Sequence, residues 1–163
     1  GLMAGASGKT FDTESTITRA MWVTMLYKMA GQPAVQSKDT FTDVKTGDWF
    51  AQAATWAVEQ GITAGYEDGS FGVNQTITRQ EMAAILYRYA QYKKLDTSVG
   101  ENTNILGFED ASQLSEYAIP AMQWAVGAGV INGTTASTLS PSGDASRAQA
   151  ANILYRFLST CQK

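Results

Sequence analysis

Three times in this chain an arginine stands one residue after a hydroxyl side chain, as Thr18-Arg19, Thr78-Arg79 and Ser146-Arg147. An apolar-striped run follows each pair, so each arginine falls in the first turn of an expected helix. The hydroxyls have a structural role there. Thr78 as N-cap with Glu81 three residues on makes a capping box, and Ser146 with Gln149 repeats it. Thr18 caps the first run, but Met21 breaks the box. Capping does not need the arginine. A cation in the first turn opposes the helix dipole and costs about 0.3–1 kcal/mol. An anion placed there would meet the guanidinium and the free amide groups of the helix start, and arginine can grip a carboxylate bidentately. Arg79 precedes Met82 by three residues, so it tops the apolar stripe and points toward a seam in the fold. Two readings stay open from the residues: an internal ion pair with Asp43 or Asp110, or a bound anionic ligand, with such a pair orienting the guanidinium.

Other chemistry is thin. There is no histidine and one cysteine, Cys161, so the ordinary histidine-based metal and triad sites are absent and no internal disulfide can form. Neither Glu67-Asp68-Gly69 nor the stretch Asp43 to Asp48 has the alternating-oxygen spacing of a calcium loop. No metal or other cofactor is expected. Twelve basic against fifteen acidic residues, with no basic run, argue against nucleic acid. The apolar runs are too short to insert in a membrane. Gly1-Leu2-Met3 is neither an initiator nor a signal peptide, which reads as a fragment or a processed chain. Asn74-Gln75-Thr76 and Asn132-Gly133-Thr134 match the glycosylation sequon, a pattern common by chance.

The elements that must position the arginines repeat. Arg19 to Arg79 is 60 residues and Arg79 to Arg147 is 68, and the second offset also carries Trp56 to Trp124, Gly61 to Gly129 and Gly65 to Gly133. The first relates Gly1-Leu2 to Gly61-Ile62. The expected organisation is the second half of unit one over residues 1–31, unit two over 41–91 and unit three over 108–158. Each whole unit reads helix, loop, helix. The first helix, about 49–60 in unit two, should carry Trp49, Ala53, Trp56 and Ala57 on one stripe, with Tyr117, Ala121, Trp124 and Ala125 as counterparts. Burial statistics favour these tryptophans as core. The second helix, about 79–91, carries Met82, Ile85, Leu86, Tyr89 and Ala90. The loop Tyr66-Glu67-Asp68-Gly69 is a turn whose position would bring Tyr66 near the end of Arg79. Two helices cannot bury both stripes alone, so an all-α, co-folded body of packed units is expected. The stripe from Trp22 to Ala30 would lack the cover of a first helix in its own unit, to be supplied upstream, by self-association or by another element.

Phe41-Thr42-Asp43, then Trp49, then Ala53 to Phe71, then Ile77-Thr78-Arg79-Gln80-Glu81 together resemble the S-layer homology (SLH) domain. The resemblance covers nearly the whole chain as one half unit and two full ones. It implies three units packed about a pseudo-threefold axis, with grooves between them that bind secondary cell wall polymer, often through a pyruvylated sugar, or on some bacteria peptidoglycan. It implies a secreted, cell-surface module that anchors without catalysis. The family's Thr-Arg-x-Glu arginine maps to Arg79, and by register to Arg19 and Arg147. Gly65, Tyr66, Asp43 and Asp110 join them as candidate ligand-binding residues. A ketal carboxylate is the kind of anion the helix starts ask for. Unit three departs from the pattern with Gly133-Thr134-Thr135-Ala136-Ser137 and Gln149, and unit one with Ala6-Ser7-Gly8-Lys9 and Met21. Those departures leave room for vestigial grooves in a protein–protein or lattice-assembly module. A glycosidase would need two carboxylates about 5–9.5 Å apart, and Glu81 and Asp43 have simpler structural explanations.

Overall fold

The computed structural model describes residues 1–3 and 12–161. Five helices carry the fold: α1 (Arg19–Met29), α2 (Ala51–Glu59), α3 (Arg79–Tyr92), α4 (Ile119–Gly127) and α5 (Arg147–Cys161). Thr78 starts α3 as a full capping box. Its Oγ1 accepts from the Glu81 amide, and the Glu81 carboxylate accepts from the Thr78 amide at 2.8 Å. Ser146 and Gln149 make the same reciprocal pair at 3.3 and 3.4 Å, while Thr18 only accepts from the Met21 amide. Gly61 and Gly129 follow α2 and α4 with φ of 67° and 69°, the left-handed turn that releases the chain from a helix.

The first helix of each unit is shorter than its stripe suggests. Trp49 and Tyr117 stand outside α2 and α4 and are 64% and 51% exposed. The reason is local. The Asp48 carboxylate accepts from the Lys45 amide and closes a turn before α2, and a 3₁₀ turn, Glu116–Ala118, precedes Pro120 in the first turn of α4. The expectation of core tryptophans holds for Trp56 and Trp124, at 2% and 1% exposure, and fails for Trp49.

A ring of backbone hydrogen bonds closes the units on one another. The Ile17 amide donates to the Ala145 carbonyl at 3.0 Å, the Ala145 amide to Ile77 at 3.0 Å, and the Ile77 amide to Ile17 at 3.1 Å. A three-member cycle of this kind defines a pseudo-threefold axis, and all three residues are buried. Outside it, the Arg19 and Ala20 amides donate to Gln75 and Val73, those of Arg79 and Gln80 to Gly143 and Pro141, and those of Arg147 and Ala148 to Ser15 and Thr13. Each second helix is thereby pinned to the loop of the following unit.

Tertiary packing follows the same order. α2 lies on α1 and α4 on α3, and each contact carries one aromatic pair, Tyr27–Trp56 at 5.4 Å and Tyr87–Trp124 at 5.6 Å. The stripe of α1 is therefore covered, with Trp22 and Leu26 fully buried. The matching face of α5 is the open one, and Tyr155, the counterpart of Tyr27 and Tyr87, is 72% exposed. The polar connector after α3 packs down too. Gly100, in the 3₁₀ turn Ser98–Asn102, sits so close to α4 that a Cβ would come within 2.9 Å of the Trp124 nitrogen.

Candidate functional site

The arginines reach across the seams between units. Arg79 is 5% exposed, with Nε donating to the Leu139 carbonyl and a terminal nitrogen to the Asn132 carbonyl, both at 2.8 Å. Arg19 does the same one unit earlier, from Nε to the Phe71 carbonyl at 2.9 Å and from a terminal nitrogen to Thr63 Oγ1 and the Ala64 carbonyl. Its guanidinium also lies over the rings of Tyr66 and Phe71, 5.0 Å from each centroid. Tyr66 therefore belongs with Arg19 and not with Arg79, against the expectation from chain order. A loop packs on the helix start of the preceding unit, not of its own.

The aspartates are not ion-pair partners of these arginines; Lys38–Glu59 is an ion pair, and none joins Arg19 or Arg79 to Asp43 or Asp110. Each aspartate clamps its own unit's loop instead. Asp43 accepts from the amides of Phe71, Gly72 and Val73 at 2.6–2.9 Å, and Asp110 from those of Leu139 and Ser140 at 2.8 and 2.7 Å. Burial pushes both carboxyls up, and the amide donors outweigh it and hold them below the usual carboxylate range, Arg79 adding to the effect at Asp110. These clamps fix Phe71 and Leu139, the residues whose carbonyls receive the arginine Nε. Burial lowers the Arg79 pKa, against the opposing charge of Asp110.

The free helix-start amides expected to greet an anion are not free. The first two amides of α1, α3 and α5 are taken by the next unit's carbonyls, and the third goes to the capping hydroxyl. An anion at these seams would find the first three helix-start amides already taken.

Around the arginines three grooves open. The first, about 230 Å³, runs between Arg19, the loop residues Thr63, Ala64 and Tyr66, the flank of α3 at Glu81 and Arg88, and Tyr117 from unit three. The second, about 220 Å³, lies between Arg79, the loop at Asn132 to Thr134, and the flank of α5 at Gln149, Asn152 and Arg156. The third, about 510 Å³, has Arg147, the flank of α1 at Met21, Met25 and Lys28, and Trp49 from unit two. The first and third draw on all three units: an arginine from one, a helix flank from the next and an aromatic side chain from the one after. Glu81 and Gln149 thus both cap and line a groove. Gly65 lines none. It lies beneath Phe41, whose ring a Cβ would meet at 2.2 Å.

The loop of unit three keeps its shape without the family's residues. The Thr134 amide donates to the Thr138 carbonyl at 2.8 Å, as Tyr66 does to Ser70 at 2.7 Å, and a cluster of threonine and serine hydroxyls replaces the Asp68–Ser70 turn. What it loses is the aromatic wall, Thr134 standing where Tyr66 stands. The loop of unit one at Ala6 to Lys9 lies outside the described residues.

Sequence reasoning missed Thr63, Trp49 and Tyr117 as groove walls and the cations Lys28, Arg88 and Arg156. The two offsets carry a basic residue from 28 to 88 to 156, a signal as regular as that of the arginines themselves. Among the described residues no group of His, Cys, Asp and Glu could hold a metal ion, and none of the described helices is long and apolar enough to cross a membrane.

The family model described as the S-layer homology domain matches residues 40–83 and 107–151. Over 96% of its length the chain is 34% identical to the exoglucanase XynX of Acetivibrio thermocellus, covering 14% of that protein. It is 28% identical to a cellulosome-anchoring protein of the same species, over 96% of the chain and 35% of the relative. It is 30% identical to the surface-layer 125 kDa protein of Lysinibacillus sphaericus, over 96% of the chain and 13% of the relative. The chain spans at most about a third of each of these relatives. The cyclic threefold core, the seam-crossing arginines and these matches have one conclusion: the chain belongs to the S-layer homology domain family.

Proposed function

We propose that this chain is a non-catalytic module that holds a bacterial protein on the cell wall. It does so by binding secondary cell wall polymer, with a pyruvylated sugar as the expected ligand, in the grooves between its units. The observation that carries this reading is the construction of the grooves. Each gathers cations from neighbouring units around a cavity large enough for a sugar residue. A pyruvate ketal offers one carboxylate on a flat saccharide, matched by basic side chains and, in the first and third grooves, an aromatic wall. The relatives support the location, since a cellulosome-anchoring protein and a surface-layer protein share this stretch. The enzymes among them owe their names to whole chains of which this stretch is a small part. The module would act at the cell surface as a secreted part of a longer protein.

Co-sedimentation with purified sacculi tests the proposal, using wild type, Arg79→Ala and walls stripped of secondary polymer by acid. Pelleting should be lost on stripped walls and weakened by Arg79→Ala with the fold intact by circular dichroism. Pelleting that persists on stripped walls would point to peptidoglycan. Failure to pellet, with self-association in its place, would favour a lattice-assembly module.

A further inference from the structure

Two of the three helix-start arginines are committed. Arg19 and Arg79 spend Nε and one terminal nitrogen on backbone carbonyls of the next unit and are 8% and 5% exposed. Their geometry is that of a strut that holds the seam at a fixed width. The grooves nonetheless carry further positive charge. Nine residues beyond each helix-start arginine lies Lys28, Arg88 or Arg156, and each lines the groove headed by the arginine of the preceding unit, Arg147, Arg19 and Arg79 respectively. Arg88 and Arg156 are half-buried. No hydrogen bond or ion pair engages their side chains among the described residues. A half-buried guanidinium with five donors and no partner forgoes the charge-assisted bonds it is built to make.

We propose that Arg88 and Arg156 are the ligand-contacting cations of their grooves, that Lys28 has the same role in the third, and that Arg19 and Arg79 act mainly as struts. The ligand group is an anionic substituent of a saccharide, carboxylate or phosphate, seated between the two cations of a groove. The inference rests on the polymer-binding reading and deepens it.

The two positive charges of a groove feel one another. Burial chiefly lowers the Arg79 pKa, and Arg156 lowers it further. The charge of Asp110 acts against this lowering, but the nearby acids offer their oxygens elsewhere. Asp43 and Asp110 are turned onto backbone amides, and the Glu81 carboxylate is hooked to the Thr78 amide and hydroxyl. The second groove has Gln149 in the place of Glu81, so its lining holds two arginines and no acid. Anion capture should therefore be stronger there than in the first groove, although the second lacks the aromatic wall that Tyr66 provides in the first.

The test compares Arg88→Gln, Arg156→Gln and Arg156→Lys with wild type in pelleting on sacculi over a range of protein concentrations. A parallel titration with sodium pyruvate and with inorganic phosphate follows the side-chain Nε–H resonances of the arginines by NMR. Loss of one charge-assisted contact should weaken pelleting about tenfold for Arg156→Gln, less for Arg88→Gln, at unchanged melting temperature. Arg156→Lys should recover part of the loss. In the titration the Arg88 and Arg156 resonances should move while those of Arg19 and Arg79 stay, and the anion that moves them separates carboxylate from phosphate. Equal pelleting by the glutamine variants, or shifts confined to Arg19 and Arg79, would overturn the proposal. If wild type pelleted on stripped walls as well as on intact ones, the polymer reading would fail by itself. The titration would still decide whether Arg88 and Arg156 are the anion contacts.

Discussion

Asp43 should be worth more to this fold than any other exposed-looking carboxylate, and the argument can be made quantitative. It accepts from three consecutive amides, those of Phe71, Gly72 and Val73, at 2.6, 2.8 and 2.9 Å. All three donors are on buried residues. Asp43→Asn keeps the shape and removes the charge. Its single carbonyl oxygen keeps most bonds by serving Gly72 and Val73, and the carboxamide nitrogen then confronts the Phe71 donor. One bond is lost and the survivors fall from charge-assisted to neutral strength. With hydrogen bonds to charged groups contributing about 1.5–3 kcal/mol and neutral ones about half that, the expected cost is roughly 3–6 kcal/mol. The carboxylate is partly open to water, which favours the lower half. At this chain length that corresponds to a melting temperature lower by roughly 5–15 °C. Asp68→Asn, which disturbs only an exposed turn to Ser70, is the control and should move far less. The effect should also vanish in acid. The folded pKa of Asp43 lies below its ordinary 3.8. Its contribution is therefore complete above that value and lost as pH falls through the folded pKa. Thermal melts of both variants at pH 7 and across the acid range are the assay. Equal melting temperatures for the Asp43 and Asp68 variants at pH 7, or a wild-type advantage that survives into strong acid, would refute the reasoning.

Three further perturbations probe the same architecture. Tyr27→Ala should cost about 3–4 kcal/mol in denaturant melts, because it empties the seat against Trp56, while the register-equivalent Tyr155→Ala should stay within about 0.5 kcal/mol. Gly65→Ala forces a methyl into the Phe41 ring and should destabilise by about 1–3 kcal/mol, with Gly47→Ala, in open space, as the neutral comparison. Gln149→Glu should put a charged acceptor into the capping box of α5, at the positive end of the helix dipole, and raise stability by about 0.5–1 kcal/mol. The same change puts an acid between Arg79 and Arg156, so calorimetric titration with an anion should show weaker binding in a more stable protein.

Much of this was legible in the residues. Thr78 and Ser146 as caps and the direction of Arg79 toward a seam follow from local rules, and the repeat offsets carried them between units. What was not legible is which unit touches which. Chain order puts Tyr66 beside Arg79, and only the threefold closure through Ile17, Ile77 and Ala145 hands it to Arg19. The same closure consumes the helix-start amides that local chemistry would offer to an anion. It also moves the uncovered face from α1 to α5. Trp49 was misplaced for a smaller reason: a helical stripe was extended across a turn closed by Asp48, and a residue that looks like core became a groove wall. Periodicity describes a helix once it exists but does not say where the chain enters it.

The charge of the molecule points the same way. A protein of net charge −3 would be repelled at long range by an acidic polymer, so any attraction must be built locally, by spending acids on something else. Asp43 and Asp110 are spent on loop amides and Glu81 on its cap. Each of these bonds shapes a groove and at the same moment occupies carboxylate oxygens that could otherwise pair directly with its arginines, although Asp110 is still felt by Arg79 at a distance. Arg19 and Arg79 are spent too, on carbonyls that define the seam. Among the described residues that line the grooves, the second row of cations keeps its side chains without such a partner. In the proposed division of labour the regular motif supplies the frame, and the binding charge sits at a register the motif does not name.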